Sequence, residues 1–434
     1  MELTPTTVTA LIIFAVTFIL ILSERIHRTV IAMFGATVML LAGIGLDFYH
    51  PPEAVQALDF NTLGLLFGMM LLVTLLEQTG ALQYLAILSA KKTRGNPWRL
   101  LVVLGAVTTI VSCFLDNVTT IILIAPVSII IARIVNISPT PILMAEALLS
   151  NTGGVATLVG DPPNIMIGSA AGFSFIDFLT HVAPIVFVTW LVLLFTLKLV
   201  FRKELQQKPE GVEELLQWDE KSAIEDMRTC KKVVAVLVGV VVLFFLHHIL
   251  HLPPALVAIL GASIALLLIT ATKDPQPILA KVEWSVLMFF AALFILVGGL
   301  EQAGILESVA VGVTEISGQN PVMSALLVLW VGAFVSAVVD NIPFTMAMIP
   351  VIQHLQGAAI PTDLLWWALA MGVGFGGNGS PIGSTASVVV VSRSEETSEP
   401  ITFARWFKSG TIAMIVSCLV GSVAIVLFHE WLAR

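Results

Sequence analysis

Apolar residues run along the chain in blocks close to twenty long, as at 9–22, 233–246 and 411–428. A helix of about twenty residues crosses a hydrocarbon core of roughly 30 Å, whereas membrane barrels alternate polar and apolar residues over short strands. No such alternation occurs here, and the pattern predicts an α-helical membrane protein. Divided at Pro, Gly and charged punctuation, it predicts spans near 8–23, 29–46, 60–78, 141–168, 178–200, 233–250, 254–271, 283–300, 362–391 and 410–428. Two further stretches, 98–135 and 321–355, are too long for one span and are interrupted at Asp-Asn. Each is predicted to be a re-entrant hairpin. No basic residues precede the first block and no small-residue cleavage site follows it, so it is expected to be a span rather than a removable signal.

The basic residues fix the threading. If both hairpins return to the side they entered from, six segments share one face: 24–28, 91–99, 133, 198–232, 273–281 and 393–408. These hold 20 of the 21 Lys and Arg, leaving only Arg434 opposite. The positive-inside rule makes that face cytoplasmic, in an inner (plasma) membrane, with both termini outside. Composition agrees: 57% of the 434 residues are hydrophobic, 12% are charged, and mean hydropathy is +0.99. A soluble domain carries about 25% charged residues.

The chain repeats itself. Leu76-Glu77-Gln78-Thr79-Gly80 returns as Leu300-Glu301-Gln302-Ala303-Gly304, and the seven residues ending in Asp116-Asn117 return as those ending in Asp340-Asn341. Pro126-Val127 returns as Pro350-Val351, and all three pairs share an offset of 224 residues. Each repeat contains an odd number of crossings, so the second is expected upside down. The organisation read from this is an N-terminal repeat (1–201), a charged cytoplasmic linker (202–232) and a C-terminal repeat (233–434), each repeat having about five spans, one hairpin and one broken helix. Inverted repeats with broken helices meeting near the midplane build many secondary transporters.

Asp116-Asn117 and Asp340-Asn341 are the sharpest chemical signals. A carboxylate at membrane depth is expensive unless it meets a partner, water or a cation. Thr119 and Thr120 follow the first pair and Thr345 the second, adding oxygen ligands for Na⁺ beside a protonatable group. Asp also caps helix starts, and the two roles are compatible. The second signal is Asn151-Thr152-Gly153-Gly154, then Thr157 and Gly160-Asp161-Pro162-Pro163-Asn164. It is matched by Gly376-Gly377-Asn378, Ser380, and Gly383-Ser384-Thr385. Paired glycines either let a helix unwind, freeing N–H groups for a polar or anionic solute, or let helices pack closely.

Other residues carry weaker readings. Glu77 and Glu301 end their spans as caps or gates, and Glu146 lies early in a broken span. Cys113, one turn before Asp116, is a small apolar residue or a soft ligand. His247, His248 and His251 lie at a span end, where interfacial solvation is expected. The three cysteines form no metal or disulfide pattern, and no GxxxxGK[ST] loop occurs, which excludes P-loop ATP hydrolysis. The linker is too small for a catalytic domain. An enzyme, a resident cofactor and a nucleic-acid partner are all unexpected; the expected surroundings are a lipid bilayer and a small inorganic solute.

The run Phe114-Leu115-Asp116-Asn117-Val118-Thr119-Thr120, with Asn151-Thr152-Gly153-Gly154 and Gly160-Asp161-Pro162-Pro163-Asn164, resembles the ion-transporter superfamily. The likeness is to its branch of ArsB-type arsenite permeases and the P protein, to which NhaD-type antiporters are related. The resemblance implies a homodimer, an elevator-type transport domain moving on a scaffold, and a site between two hairpin tips and two helix breaks. It also raises the question of a separate ATPase subunit. The dicarboxylate carriers of the superfamily bear Ser-Asn-Thr at both sites; here Ser150-Asn151-Thr152 stands at the first break, and the hairpins carry Asp-Asn.

Two fixed negative charges suit a cation or a neutral solute such as arsenous acid better than a dianion. The expected function is proton-coupled efflux of arsenite or antimonite. Asp116 and Asp340 would handle the proton or bind Na⁺, while Asn117, Asn341, Asn151, Thr152 and Asn378 would meet the hydroxyls. Na⁺/H⁺ antiport and Na⁺-coupled uptake of an anion are the alternatives. Every Lys and Arg maps to a loop, so no cation is expected at the site to hold a carboxylate substrate, which weighs against the last.

Overall fold

The computed structural model describes residues 4–23, 25–224, 226–270, 274–306, 320–355 and 362–433, and these form helices joined by turns. Glu225, Lys273 and Arg434, which entered the charge map, lie outside the described residues. The first repeat begins with α1 (Pro5–Leu22), α2 (Arg28–Gly45), the short α3 (Pro51–Gln56) and α4 (Phe60–Glu77). It continues through α5 (Ala81–Thr93), α6 (Pro97–Ser112), α7 (Asn117–Ile134), α8 (Thr140–Gly154), α9 (Pro162–Ala171), α10 (Phe175–His181) and α11 (Ala183–Val200). After the linker helix α12 (Val212–Gln217) come α13 (Met227–Leu246), α14 (Pro254–Thr270), α15 (Gln276–Leu279) and α16 (Trp284–Gln302). The chain closes with α17 (Pro321–Ser336), α18 (Asn341–Leu355), α19 (Thr362–Gly376), α20 (Thr385–Ser394) and α21 (Phe403–Leu432).

The helices repeat as the residues do. α6 and α17 both start at Asn-Pro and are 224 residues apart, as are the starts of α7 and α18. Packing is exchanged between the halves: α2 lies on α16 while α4 lies on α14. Likewise α7 lies on α20 while α18 lies on α9. Such reciprocal pairing is what a two-fold axis relating two halves produces. The helices fall into two packing groups, α1, α2, α4, α13, α14 and α16 in one, and the hairpins, broken helices, α11 and α21 in the other.

Contacts between loops support the threading. Lys91 meets Glu220, Asn136 meets Glu210, Ser138 meets Glu399, and Arg405 reaches Glu204, so both ends of the α6–α7 hairpin share a face with the linker and with 393–408. On the other face Thr7 meets the Ala303 carbonyl, and Asn61 meets Ser169 and the Ala255 amide. Gln353, near the end of α18, lines a cavity there with Gln56, Asp59 and Glu301. The two hairpins therefore open toward opposite faces, as an inverted repeat requires.

Several expectations are refined. The spans 141–168 and 362–391 are each two helices, separated by 155–161 and 377–384. The span predicted from 178 starts at Ala183, because Ser174 caps a separate short α10. The helix α5 was not anticipated, its even mix of Ala, Lys and Leu hiding a buried face. His247 is not a solvated interfacial residue: it is buried, its Nδ1–H donates to the Leu252 carbonyl, and its Nε2 accepts the Phe175 N–H, tying α13 to α10.

Lys91 Nζ donates to Glu220 (2.6 Å) and to the Trp218 carbonyl (2.9 Å), fastening the linker to α5. The hydrogen bond from Lys91 holds the Glu220 carboxyl below the usual glutamate range. Its lowered value makes this fastening fully present above about pH 4.3 and lost as pH falls through the folded value. Limited proteolysis within 202–224 is expected to be slow near neutrality, to quicken only in acid, and to be fast at both pH values in Lys91→Ala.

Candidate functional site

Each hairpin turns on its aspartate. Asp116 is the N-cap of α7, and its Oδ2 accepts the Thr119 N–H (3.0 Å) and hydroxyl (3.1 Å). Asp340 accepts the Ile342 N–H through Oδ1 and the Arg28 guanidinium through Oδ2. Capping is thus one role of both carboxylates. Arg28, at the start of α2, also lies over the Phe289 ring (5.3 Å) and 3.5 Å from the Thr385 hydroxyl. This overturns the expectation that no cation reaches the site. A long guanidinium stem lets a residue at a loop–helix boundary extend to a hairpin tip, which a map of helix ends does not register. Arg28, Asp340, His27, Thr385 and Phe289 line a cavity of about 330 Å³.

The two helix breaks meet at a carboxamide node. Asn151 Nδ2 donates to Asn378 Oδ1 (3.0 Å) and Ser384 Oγ (2.9 Å), and its Oδ1 accepts from Asn117 Nδ2 (3.3 Å). Asn378 Nδ2 donates to Thr152 Oγ1 (3.1 Å) and the Leu148 carbonyl. Ser387, not anticipated, shares a hydrogen bond with Ser384 at 2.8 Å. It stands where the repeat offset puts the equivalent of Asn164, which is how the sequence signalled it. Asn378 is wholly buried and Asn151 is 2% exposed.

Asp161 lies beside the second hairpin tip: it is 3% exposed, and Asn341 Nδ2 donates to its Oδ2 (3.1 Å). Asn341 therefore meets Asp161 directly, while Asn117 reaches Ser384, the equivalent of Asp161, through Asn151. Asn164 Nδ2 donates to the carbonyls of Gly154, Val155 and Thr157, holding the first break open.

Other predicted residues are committed elsewhere. The Thr157 hydroxyl bonds the Cys113 carbonyl and the Ser380 hydroxyl the Ala337 carbonyl, an equivalent pair that fastens each break to its own hairpin tip. Thr120 and Thr345 donate to the carbonyls of Asp116 and Asn341 within their helices. The Cys113 thiol donates to the Gly153 carbonyl and lines an apolar groove with Ile110, Phe187 and Trp190.

The glycines serve close approach. A Cβ on Gly153 would meet Thr109, and one on Gly376 would meet the Ala333 carbonyl; neither glycine has positive φ. The break before α9 offers few donors, since Pro162 and Pro163 occupy its first two positions and carry no N–H. Among the described residues no three of His, Cys, Asp and Glu are grouped to hold a metal ion, so a hard cation here would combine one carboxylate with carboxamide and main-chain oxygens.

Residues 18–374 match the family model described as citrate transporter. A "46 kDa membrane protein" of Mycobacterium leprae is 39% identical over 96% of this chain and 97% of its own length. An uncharacterized transporter of Mycobacterium tuberculosis is 38% identical over 98% of each. The human P protein is 33% identical over 96% of this chain, which spans 59% of that longer protein. The crystal structure of the Alcanivorax borkumensis YdaH transporter, described as having an unusual topology, superposes with a TM-score of 0.63 over 94% of this chain and 99% of its own, at 14% identity.

Proposed function

The chain belongs to the citrate-transporter family of membrane carriers, and from that we propose that it is a cation-coupled secondary transporter of a small polar solute. Proton-driven efflux of arsenite or antimonite fits best. The observation that carries this reading is the buried node of Asn151, Asn378 and Ser384, which Asn117 joins to the Asp116 hairpin tip, together with the hydrogen bond from Asn341, next to Asp340, to Asp161. Its acceptor-rich walls suit an undissociated oxyacid, which brings its own hydroxyl donors. The carboxylates suit the coupling ion, H⁺ or Na⁺. In this reading the basic face is cytoplasmic, the membrane is the plasma membrane, and the chain works as a homodimer whose hairpin-bearing half moves.

Na⁺/H⁺ antiport uses the same carboxylates with no further solute. Arg28 favours a third reading, Na⁺-coupled uptake of an anion such as the citrate of the family description, because its guanidinium lies beside the second hairpin tip.

The test is flux in proteoliposomes under an imposed pH gradient, for the parent, Asp116→Asn, Asp340→Asn and Arg28→Gln. Arsenite movement that follows the gradient and falls to background in both Asn variants is expected. Citrate uptake that depends on Na⁺ and on Arg28 would replace this reading by the third. Na⁺-dependent proton flux without solute movement would replace it by antiport.

A further inference from the structure

Away from the node, a second polar group is enclosed in the hairpin-bearing half. Glu146, five residues before Asn151 on α8, is 0% exposed. Its Oε1 accepts the Ser128 hydroxyl from α7, and its Oε2 has no protein hydrogen-bond partner among the described residues. Ser150, one turn nearer the node on the same face, also has an unpartnered hydroxyl. The helices around them bury one apolar cluster, which includes Leu143 and Leu149 on α8, Ala125 and Ile129 on α7, Leu101 on α6 and Val390 on α20.

No ion-pair partner reaches this carboxyl among the described residues. The basic residues of the helices packed on α8 sit at their ends, exposed or partly so: Arg99 on α6, Arg133 on α7, Lys198 on α11, Arg393 on α20, Arg405 and Lys408 on α21. Asp363 begins α19 and His429 and Glu430 end α21, at the opposite face. Among the described residues Ser128 supplies the hydrogen bond that Glu146 receives. An isolated carboxylate in such surroundings is costly unless it meets a partner, water or a proton.

The other repeat shows that the fold does not need it. By the offsets of the paired helices, Ser128 corresponds to Ile352, Glu146 to Leu369 and Ser150 to Val373, and those positions pack without polar side chains. A buried acid retained in only one of two equivalent places has a purpose other than packing.

We propose that Glu146 is a proton-binding site within the hairpin-bearing half, occupied by one proton on one side of the transport cycle and emptied on the other. The carboxylate takes a proton from water at one face and returns it to water at the other, with Ser128 and Ser150 as hydroxyl partners; no electron moves. Its depth places it about 8 Å along α8 from Asn151, at a rise of 1.5 Å per residue. The proposal deepens the proton-coupled reading above and rests on it.

Three proteins are compared: the parent, Glu146→Gln, and a double variant, Glu146→Leu with Ser128→Ile, which installs the other repeat's own residues. In proteoliposomes, arsenite flux and a pH-sensitive dye report solute and proton movement together. Both variants are expected to fold, to lose the pH dependence of flux, and to release no proton with the solute. Infrared spectra of the purified proteins supply a readout that needs no substrate. The parent is expected to show a carboxylic-acid carbonyl band that titrates and is missing from Glu146→Gln. If the parent moves no arsenite, the arsenite reading fails, and the infrared titration still decides whether Glu146 exchanges a proton. A variant that keeps the parent's pH profile and proton count, or a band that never titrates, would overturn the proposal in favour of a permanently neutral structural acid.

Discussion

Asn151→Ala is expected to abolish solute flux while costing little stability. Removing this side chain leaves Asn378 Oδ1 without its 3.0 Å donor and Asn117 Nδ2 without its acceptor. Ser384 and Ser387 are less affected, because they already bond each other at 2.8 Å. In a soluble core two orphaned groups would each cost about 1–3 kcal/mol. Between membrane helices the mean is nearer 0.6 kcal/mol per bond, since the unfolded chain in lipid finds partners as well. A loss of about 1–2 kcal/mol therefore follows from the two bonds, and the protein should survive purification. The site should not, because Asn151 is the only described side chain bonded to both Asn117 on the first hairpin and Asn378 in the second break. Without it the two halves of the node lose their common register. Flux of arsenite at background with a near-parental melting curve is the expected pair of results. Retained flux would remove the node from the substrate path. The double variant with Asn378→Ala should be scarcely worse than either single change, as residues acting as one unit are not additive.

The node was legible in the sequence because its chemistry and its symmetry pointed the same way. Asn151 stands two residues before one glycine pair and Asn378 directly after the matched pair, and polar residues within an apolar block have few roles besides binding. The hairpins were legible for the same reason, with the added check that basic residues fell on one face only if 98–135 and 321–355 turned back. Arg28 was not legible, since its position at a helix start says nothing about where its long side chain ends. Asp161 read only as part of the first helix break, and folding alone brings Asn341 from 180 residues away onto its carboxylate. Thr157 and Ser380 read as ligands by residue type, yet each hydroxyl is spent on a hairpin carbonyl. Pattern distinguishes polar residues from apolar ones; it does not distinguish those that face a solute from those that hold the walls in place.

Those walls give the second large effect. Gly160→Ala is expected to destroy the first helix break, and Gly383→Ala, its equivalent, to weaken the second far less. A Cβ on Gly160 would lie 2.5 Å from the Gly154 carbonyl and 2.8 Å from that of Ser112. Both are main-chain atoms, so no side chain can turn aside. The loop cannot retreat either, since Asn164 grips the carbonyls of Gly154, Val155 and Thr157, and Thr157 is fastened to Cys113. On Gly383 the same atom would lie 3.0 Å from the Gly377 carbonyl and 3.1 Å from that of Ser336. A shift of a few tenths of an ångström relieves that contact, and the second break has no asparagine equivalent to Asn164 to forbid the shift, Ser387 standing there instead. Overpacking costs about 1–3 kcal/mol where neighbours can yield and more where they cannot. Gly160→Ala should therefore show a depressed melting point, faster hydrogen exchange across 155–161 and no flux, while Gly383→Ala keeps a measurable fraction of each. Equal damage from the two would mean that backbone proximity at the first break is no tighter than at the second, and that Asp161 is held by Asn341 rather than by the loop that carries it.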